Sequence, residues 1–129
     1  MSDDELRTLT RALERRRGVQ LCSYGNARGC DSLVDARHFA RMVAANGGHA
    51  FDAAAVERAR ARVRRLFEAT RSYDDGMRSY EARCDYERAF GEYVAHGDLV
   101  AALLLEGFRA RFEPSDGIGC RLAARERLH

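Results

Sequence analysis

Lysine is absent from this chain: all 22 of its basic side chains are arginine. A GC-rich genome accounts for this, because arginine has GC-rich codons and lysine does not, and the abundance of alanine and glycine agrees. Selection against lysine beside ubiquitin-type machinery is the alternative. In either case one residue does the work that two normally share, so no arginine marks a site by its identity alone. Proline is nearly missing as well, with Pro114 alone. β-Branched residues are scarce and strict apolar–polar alternation never persists, so strands fit poorly anywhere. Long apolar runs are lacking too. The longest, Leu99 to Leu105, is far below the ~20 residues of a membrane-spanning helix. The acidic start "MSDDELR" has no apolar core of a signal peptide, so residence in the cytoplasm or nucleus is expected, with the four cysteines as free thiols.

What is present is helical periodicity in one domain spanning residues 1–129. Ser2 to Glu5 reads as a capping box opening a first helix, with Leu6, Leu9 and Leu13 on one stripe and Gly18 as its stop. Residues 19–31 read as a loop. Asp31 or Ser32 caps a second helix whose face is Leu33, Ala36, Phe39, Ala40 and Val43, ending at Asn46 to Gly48. Asp52 caps a third, with Val56, Ala59, Val63, Leu66, Phe67 and Thr70 on its core face. A fourth runs from Met77 to Ala95, closed by His96 and Gly97, with Cys84 on its core stripe. Asp98 caps a fifth that continues to Phe112 and is apolar nearly all round. Arg121 to His129 adds a short terminal helix. The expected fold is therefore all-α: a single compact bundle of five to six helices with the fifth, about 98–112, at its centre.

The third helix carries the arginines from Arg58 to Arg65 in two ridges. Arg60, Arg64 and Arg71 lie beside Glu57 and Glu68, at the three- and four-residue spacings that pair within a helix. Arg58, Arg62 and Arg65 lie opposite the core stripe with no acid beside them on that helix. Uncompensated guanidinium groups suit carboxylate or phosphate partners, so these three are the candidate partner-binding residues. The bland reading is a solvated helix face. The stretches "FARMV" and "AAVERARARVRRLF" together resemble, over about thirty residues, the carboxy-terminal DNA-reading part of sigma-type factors. That resemblance implies a helix-turn-helix-like unit at about 33–71 and nucleic acid as a possible partner, although Asn46 to Phe51 is longer than the usual ~3–4-residue turn.

Other chemistry is sparse. Cys22, Cys30 and His38 lack the short chelating pair that zinc sites use, so no metal is expected. Cys120 follows a glycine-rich loop and is expected near the surface. No phosphate-binding glycine loop, G-x-S-x-G or H-E-x-x-H occurs, so neither catalytic residues nor a cofactor are expected. His96 reads as a helix C-terminal cap. "GDLVAALLLEG" followed by "SDGIGCRLAA" looks a little like an ankyrin unit. Its first stretch is short, "CRLA" replaces the T-P-L-H signature and no repeat is visible, so the family is not carried over. The functional expectation is a non-enzymatic helical interaction module, a regulator or inhibitor binding a partner protein through a helix groove or the arginine ridge, with no membrane partner. The alternative is a DNA-binding regulator. Reductant should leave the melting temperature unchanged; a fall of several degrees in a thermal melt would reveal a structural disulfide.

Overall fold

The computed structural model describes residues 2–28 and 35–128. Along them run α1 (Ser2–Arg17), β1 (Leu21–Cys22), β2 (Gly25–Asn26), α2 (Ala36–Ala45), α3 (Ala53–Leu66) and β3 (Phe67–Ala69). Then follow β4 (Met77–Arg78), α4 (Ser79–Phe90), α5 (His96–Leu105), β5 (Ala110–Arg111), a 3-10 turn Pro114–Asp116, β6 (Arg121–Leu122) and β7 (Ala124–Glu126). Among the described residues the fold is thus mixed, five α-helices with seven short strands, and the expectation of an all-α bundle is overturned. The strands form three antiparallel sheets: the β1–β2 hairpin, the β3–β7 pair, and β6 flanked by β4 and β5. Each is only two or three residues long. Alternation needs about four residues to register, so nothing in the local pattern reveals them.

The helices follow their caps and stripes. Asp3, Asp4 and Glu5 sit in the first turn of α1, where the helix dipole favours negative charge. Leu6 and Leu13 are buried, and Leu9 packs against the core. The helix stops at Gly18, whose φ of 63° is left-handed. Asp35, rather than Asp31 or Ser32, caps α2 by accepting the His38 N–H at 2.8 Å; Leu33 lies outside the described residues. Asp52 caps α3, accepting the Ala55 N–H at 3.2 Å, and Val56, Ala59, Val63 and Leu66 all face inward. Phe67 is fully buried, but from an extended backbone, because the chain passes from α3 into β3 at that residue.

Three expected boundaries move. The stop of α4 is Gly91, left-handed at φ 61°, while His96 and Gly97 open α5 instead of closing α4. Asp98 is not a cap; it lies inside the first turn of α5 and is buried. The fifth helix ends at Leu105, and Phe108 and Phe112 flank β5, so the expected 98–112 helix is shorter and begins earlier. The segment expected as a terminal helix carries β6 and β7, which pair with strands far back in the chain.

The main core is built on α5, which packs against α1, α3, α4 and the β1–β2 hairpin. Leu99 through Leu103 are essentially inaccessible. Gly97 seats this helix on the hairpin: its N–H donates to the Ser23 carbonyl at 2.8 Å, and a methyl group there would overlap the Cys22 carbonyl oxygen. A smaller cluster joins Phe39 of α2 to Cys22, Ala27 and Ala50, with Met42 and Val43 beside it. The second helix therefore packs in this small cluster while α3 packs in the main core.

A fully buried leucine contributes roughly 1.5–3 kcal/mol by transfer alone, and truncation leaves a cavity besides. Leu103→Ala should therefore cost about 2–5 kcal/mol in urea titration. Leu104→Ala should cost distinctly less, because Leu104 is only half-buried at the edge of the core. Equal losses would show that the two sides of α5 are equally enclosed.

Candidate functional site

Three chain junctions meet in one cleft of about 420 Å³. The turn from β4 into α4 supplies Arg78, Ser79, Tyr80 and Glu81; the start of α5 supplies His96; the segment from the 3-10 turn to β6 supplies Ser115, Asp116, Ile118, Gly119 and Cys120. Ser79 and His96 are both more than nine-tenths buried. The Ser79 Oγ lies 2.7 Å from His96 Nε2 and accepts the Cys120 N–H at 2.9 Å, while the Ser79 N–H donates to the Cys120 carbonyl at 2.9 Å. One hydroxyl thus ties α4, α5 and β6 together. Gly119 crosses directly over the pair. A Cβ there would meet Ser79 Oγ at 2.7 Å and His96 Cε1 at 3.2 Å, so the position has no room for a side chain.

Burial holds the His96 imidazole below its usual range, and the neighbouring Arg83 charge pushes the same way. The ring is therefore neutral near pH 7. It sits at a helix N-terminus, where a cation is disfavoured, and not at the C-terminus expected for a cap. A serine hydroxyl against a neutral imidazole has the contact of a nucleophile and its base. Among the described residues no carboxylate orients His96, and the Ser79 oxygen is already engaged on two sides.

Tyr80, which lines the cleft, and Tyr93 are 61% and 74% exposed. Arg83 lies against both rings, 5.8 Å and 5.9 Å from their centres. Tyrosine and arginine are the residue types most enriched where interfaces concentrate their binding energy.

The candidate arginines of α3 occupy a different setting. Arg62 donates to Glu92 Oε2 at 2.7 Å and to the Tyr86 hydroxyl at 3.2 Å, and lies over the Phe90 ring at 5.0 Å. Arg58 pairs with the same Glu92 at 3.4 Å. The hydrogen bond from Arg62 holds the Glu92 carboxyl below its ordinary range. Arg65 is exposed, has no carboxylate partner among the described residues, and lies 5.9 Å from the centre of Phe90. The ridge read as uncompensated thus receives an acid from the α4–α5 connection, which spacing within α3 has no means to show. The opposite ridge pairs outside its own helix as well: Arg60 with Glu5 and Glu106, Arg64 with Glu106, and Glu68 with Arg125.

A second buried polar cluster lies at the other side of α5. Asp98 Oδ1 accepts the Ser23 hydroxyl at 2.7 Å and the Asp52 N–H at 3.2 Å. His49 Nδ1 accepts the Phe51 N–H at 3.1 Å, which leaves Nε2–H to donate to Asp3 at 2.8 Å. Burial pushes the Asp98 carboxyl up to about 6, against the lowering effect of its Ser23 bond.

Cys22 and Cys84 are free thiols, and Cys30 lies outside the described residues. Among the described residues no group of three histidine, cysteine or acidic side chains is placed to hold a metal ion. Cys120, expected near the surface, is buried, and Cys84 is half-buried. Burial raises the Cys22 thiol above its usual range, which makes it unreactive. No helix is long and apolar enough to cross a membrane among the described residues. No protein family, characterised protein or solved structure matches this chain.

Sequence reasoning missed Ser79, Gly119 and the partnership of Ser79 with His96. His96 and Cys120, which hold Ser79, lie 17 and 41 residues from it in the chain, and no local signature marks the set.

The raised Asp98 acidity has a definite sign in stability. An aspartate at 3.8 when unfolded and about 6 when folded binds more protons in the folded state between those values. Its contribution is therefore complete below about pH 4 and is lost as pH rises through about 6. Asp98→Asn keeps an oxygen acceptor and removes the titration. Urea denaturation from pH 4 to 8 should show the wild type losing stability relative to this variant by roughly 3 kcal/mol across the window. Parallel profiles would mean that Asp98 is ordinarily acidic in the fold.

Proposed function

We propose that the protein is a non-enzymatic interaction protein, a regulator or inhibitor that binds a partner protein. The contact surface is the Tyr80–Arg83–Tyr93 face with the cleft beside it. Exposed Arg58 lies at its margin, paired with the Glu92 that directly precedes Tyr93. The observation that carries the reading is the placement of Tyr80, which lines the cleft, and Tyr93 against one arginine. A protein with few exposed large apolar side chains has no folding reason to hold two of them there, whereas rigid aromatics flanking a guanidinium suit a desolvated interface centre. A cytoplasmic or nuclear setting suits a chain with free thiols, since such compartments keep cysteines reduced.

The runner-up, a DNA-binding regulator using residues 33–71, draws its support from Arg37 and Arg41, four apart and exposed on α2. Affinity dominated by phosphate contacts falls steeply with salt.

Pull-downs from an extract of the source organism, with and without nuclease, separate the two. The expected result is nuclease-resistant capture of a protein, weakened at least about tenfold by Tyr80→Ala with Tyr93→Ala. Arg58→Gln, Arg62→Gln and Arg65→Gln together should weaken it less. Capture that the tyrosine variant leaves intact would sink the proposed surface. Capture that nuclease abolishes would favour the DNA reading.

A further inference from the structure

The hydrogen atoms at the Ser79–His96 pair can be assigned by counting. The Cys120 N–H brings its own hydrogen to Ser79 Oγ. The remaining bond, between Oγ and His96 Nε2, holds one hydrogen, from either the hydroxyl or the ring. Were the ring the donor, the serine hydroxyl hydrogen would have no acceptor among the described residues, in a residue that is 1% exposed. A buried donor left without an acceptor costs on the order of 1–3 kcal/mol. The hydroxyl therefore donates to Nε2, and the neutral ring carries its hydrogen on Nδ1.

That Nδ1–H has no acceptor among the described residues, on a side chain more than nine-tenths buried. Nor is it among the fully enclosed polar atoms left without a partner, which among the described residues belong to Thr10, Gln20 and Arg83. It is therefore reached from the cleft that the ring lines. Among the described residues the cleft presents a fixed donor and no matching acceptor.

The surrounding charges say which acceptor fits. Arg78 lines the cleft and Arg83 acts on His96 from beside it; Glu81 and Asp116 line it with the opposite sign. The Glu81 carboxylate accepts the Arg78 N–H at 3.3 Å, which keeps it at the mouth of α4. Two cations stand against two anions, so an anionic ligand gains no net attraction and meets two carboxylates. A neutral carbonyl oxygen meets no such opposition. The exposed Tyr80 ring at the rim supplies an apolar wall for the atoms that flank it. We infer that the cleft seats a neutral peptide segment of the partner protein, with one main-chain carbonyl accepting the Nδ1–H of His96. This inference rests on the reading of the same face as a partner-binding surface.

The test uses ¹⁵N-labelled full-length protein and capped trialanine, an acetylated N-methylamide that offers only peptide groups. In long-range ¹H–¹⁵N spectra at pH 7.5, His96 should show a protonated Nδ1 and an acceptor Nε2, the signal being assigned through His96→Phe. Titration should move its Nδ1 resonance saturably, with a Kd on the order of millimolar for so small a ligand. Inorganic phosphate and acetate at the same concentrations should move it at least about tenfold less. Ser79→Ala frees Nε2, so the ring should lose its single tautomer and the response should fall severalfold while the backbone spectrum remains that of a folded chain. A ring protonated on Nε2 would overturn the inference. So would a phosphate or acetate response equal to the peptide's, or no response to the peptide. The spectra report on the cleft without the cellular partner, so they can fail while the pull-down succeeds, and the reverse.

Discussion

A helix buried on every side over its first two turns must be satisfied in every direction there, and α5 imposes that demand on the whole molecule. From His96 to Leu103 every residue is buried. The apolar part is answered by α1, α3 and α4, but the first turn brings a histidine, a glycine and an aspartate into the interior. Each determines where another element must lie. The His96 ring positions the start of α4 through Ser79, and the Gly97 N–H positions the hairpin through the Ser23 carbonyl. Asp98 joins that hairpin to the start of α3. The cleft is a consequence of this arrangement, because the residues that satisfy one end of α5 also line it.

The arginines play a different part from the one their density suggests. On α3 they reach out to acids on α1, on the α4–α5 connection and after α5, and several also lie over aromatic rings: Arg62 and Arg65 over Phe90, Arg64 over Phe108. Exposed pairs of this kind contribute little individually. A planar guanidinium that can bond a carboxylate and stack on a ring at once is nevertheless well suited to a helix packed among several neighbours. The absence of lysine is therefore felt in the packing: the long cations that cover the core's edges all have a flat face.

How much of this was legible depended on the distance over which each signal acts. The Asp52 cap and the stripe of Val56, Ala59, Val63 and Leu66 are local, and the structure places them as their spacing requires. Gly97 shows the limit of local reading. A glycine after a histidine at the end of an amphipathic run has the composition of a helix stop, yet it is a close backbone approach inside a helix start. The strands were illegible for a related reason. Glu68 finds Arg125 across 57 residues, and a three-residue strand carries no period of its own. Glu92 could not be assigned to Arg58 and Arg62 from the sequence, since nothing in α3 says which acid arrives from outside. The Ser79–His96 pair is the extreme case, being defined only by three junctions meeting.

The long reach of the C-terminal strands also sets an order of events. Pairing of β3 with β7 and of β4 with β6 closes loops that span α4 and α5, and contacts of such sequence separation form after local ones because their loop entropy must be overcome first. During synthesis, α3, α4 and α5 can be complete while the chain is still short of Cys120. Until that residue arrives the Ser79 hydroxyl lacks its backbone donor and the cleft lacks the wall that Gly119 forms. The cleft is thus among the last features to appear, and it signals that the two halves of the chain have found one another.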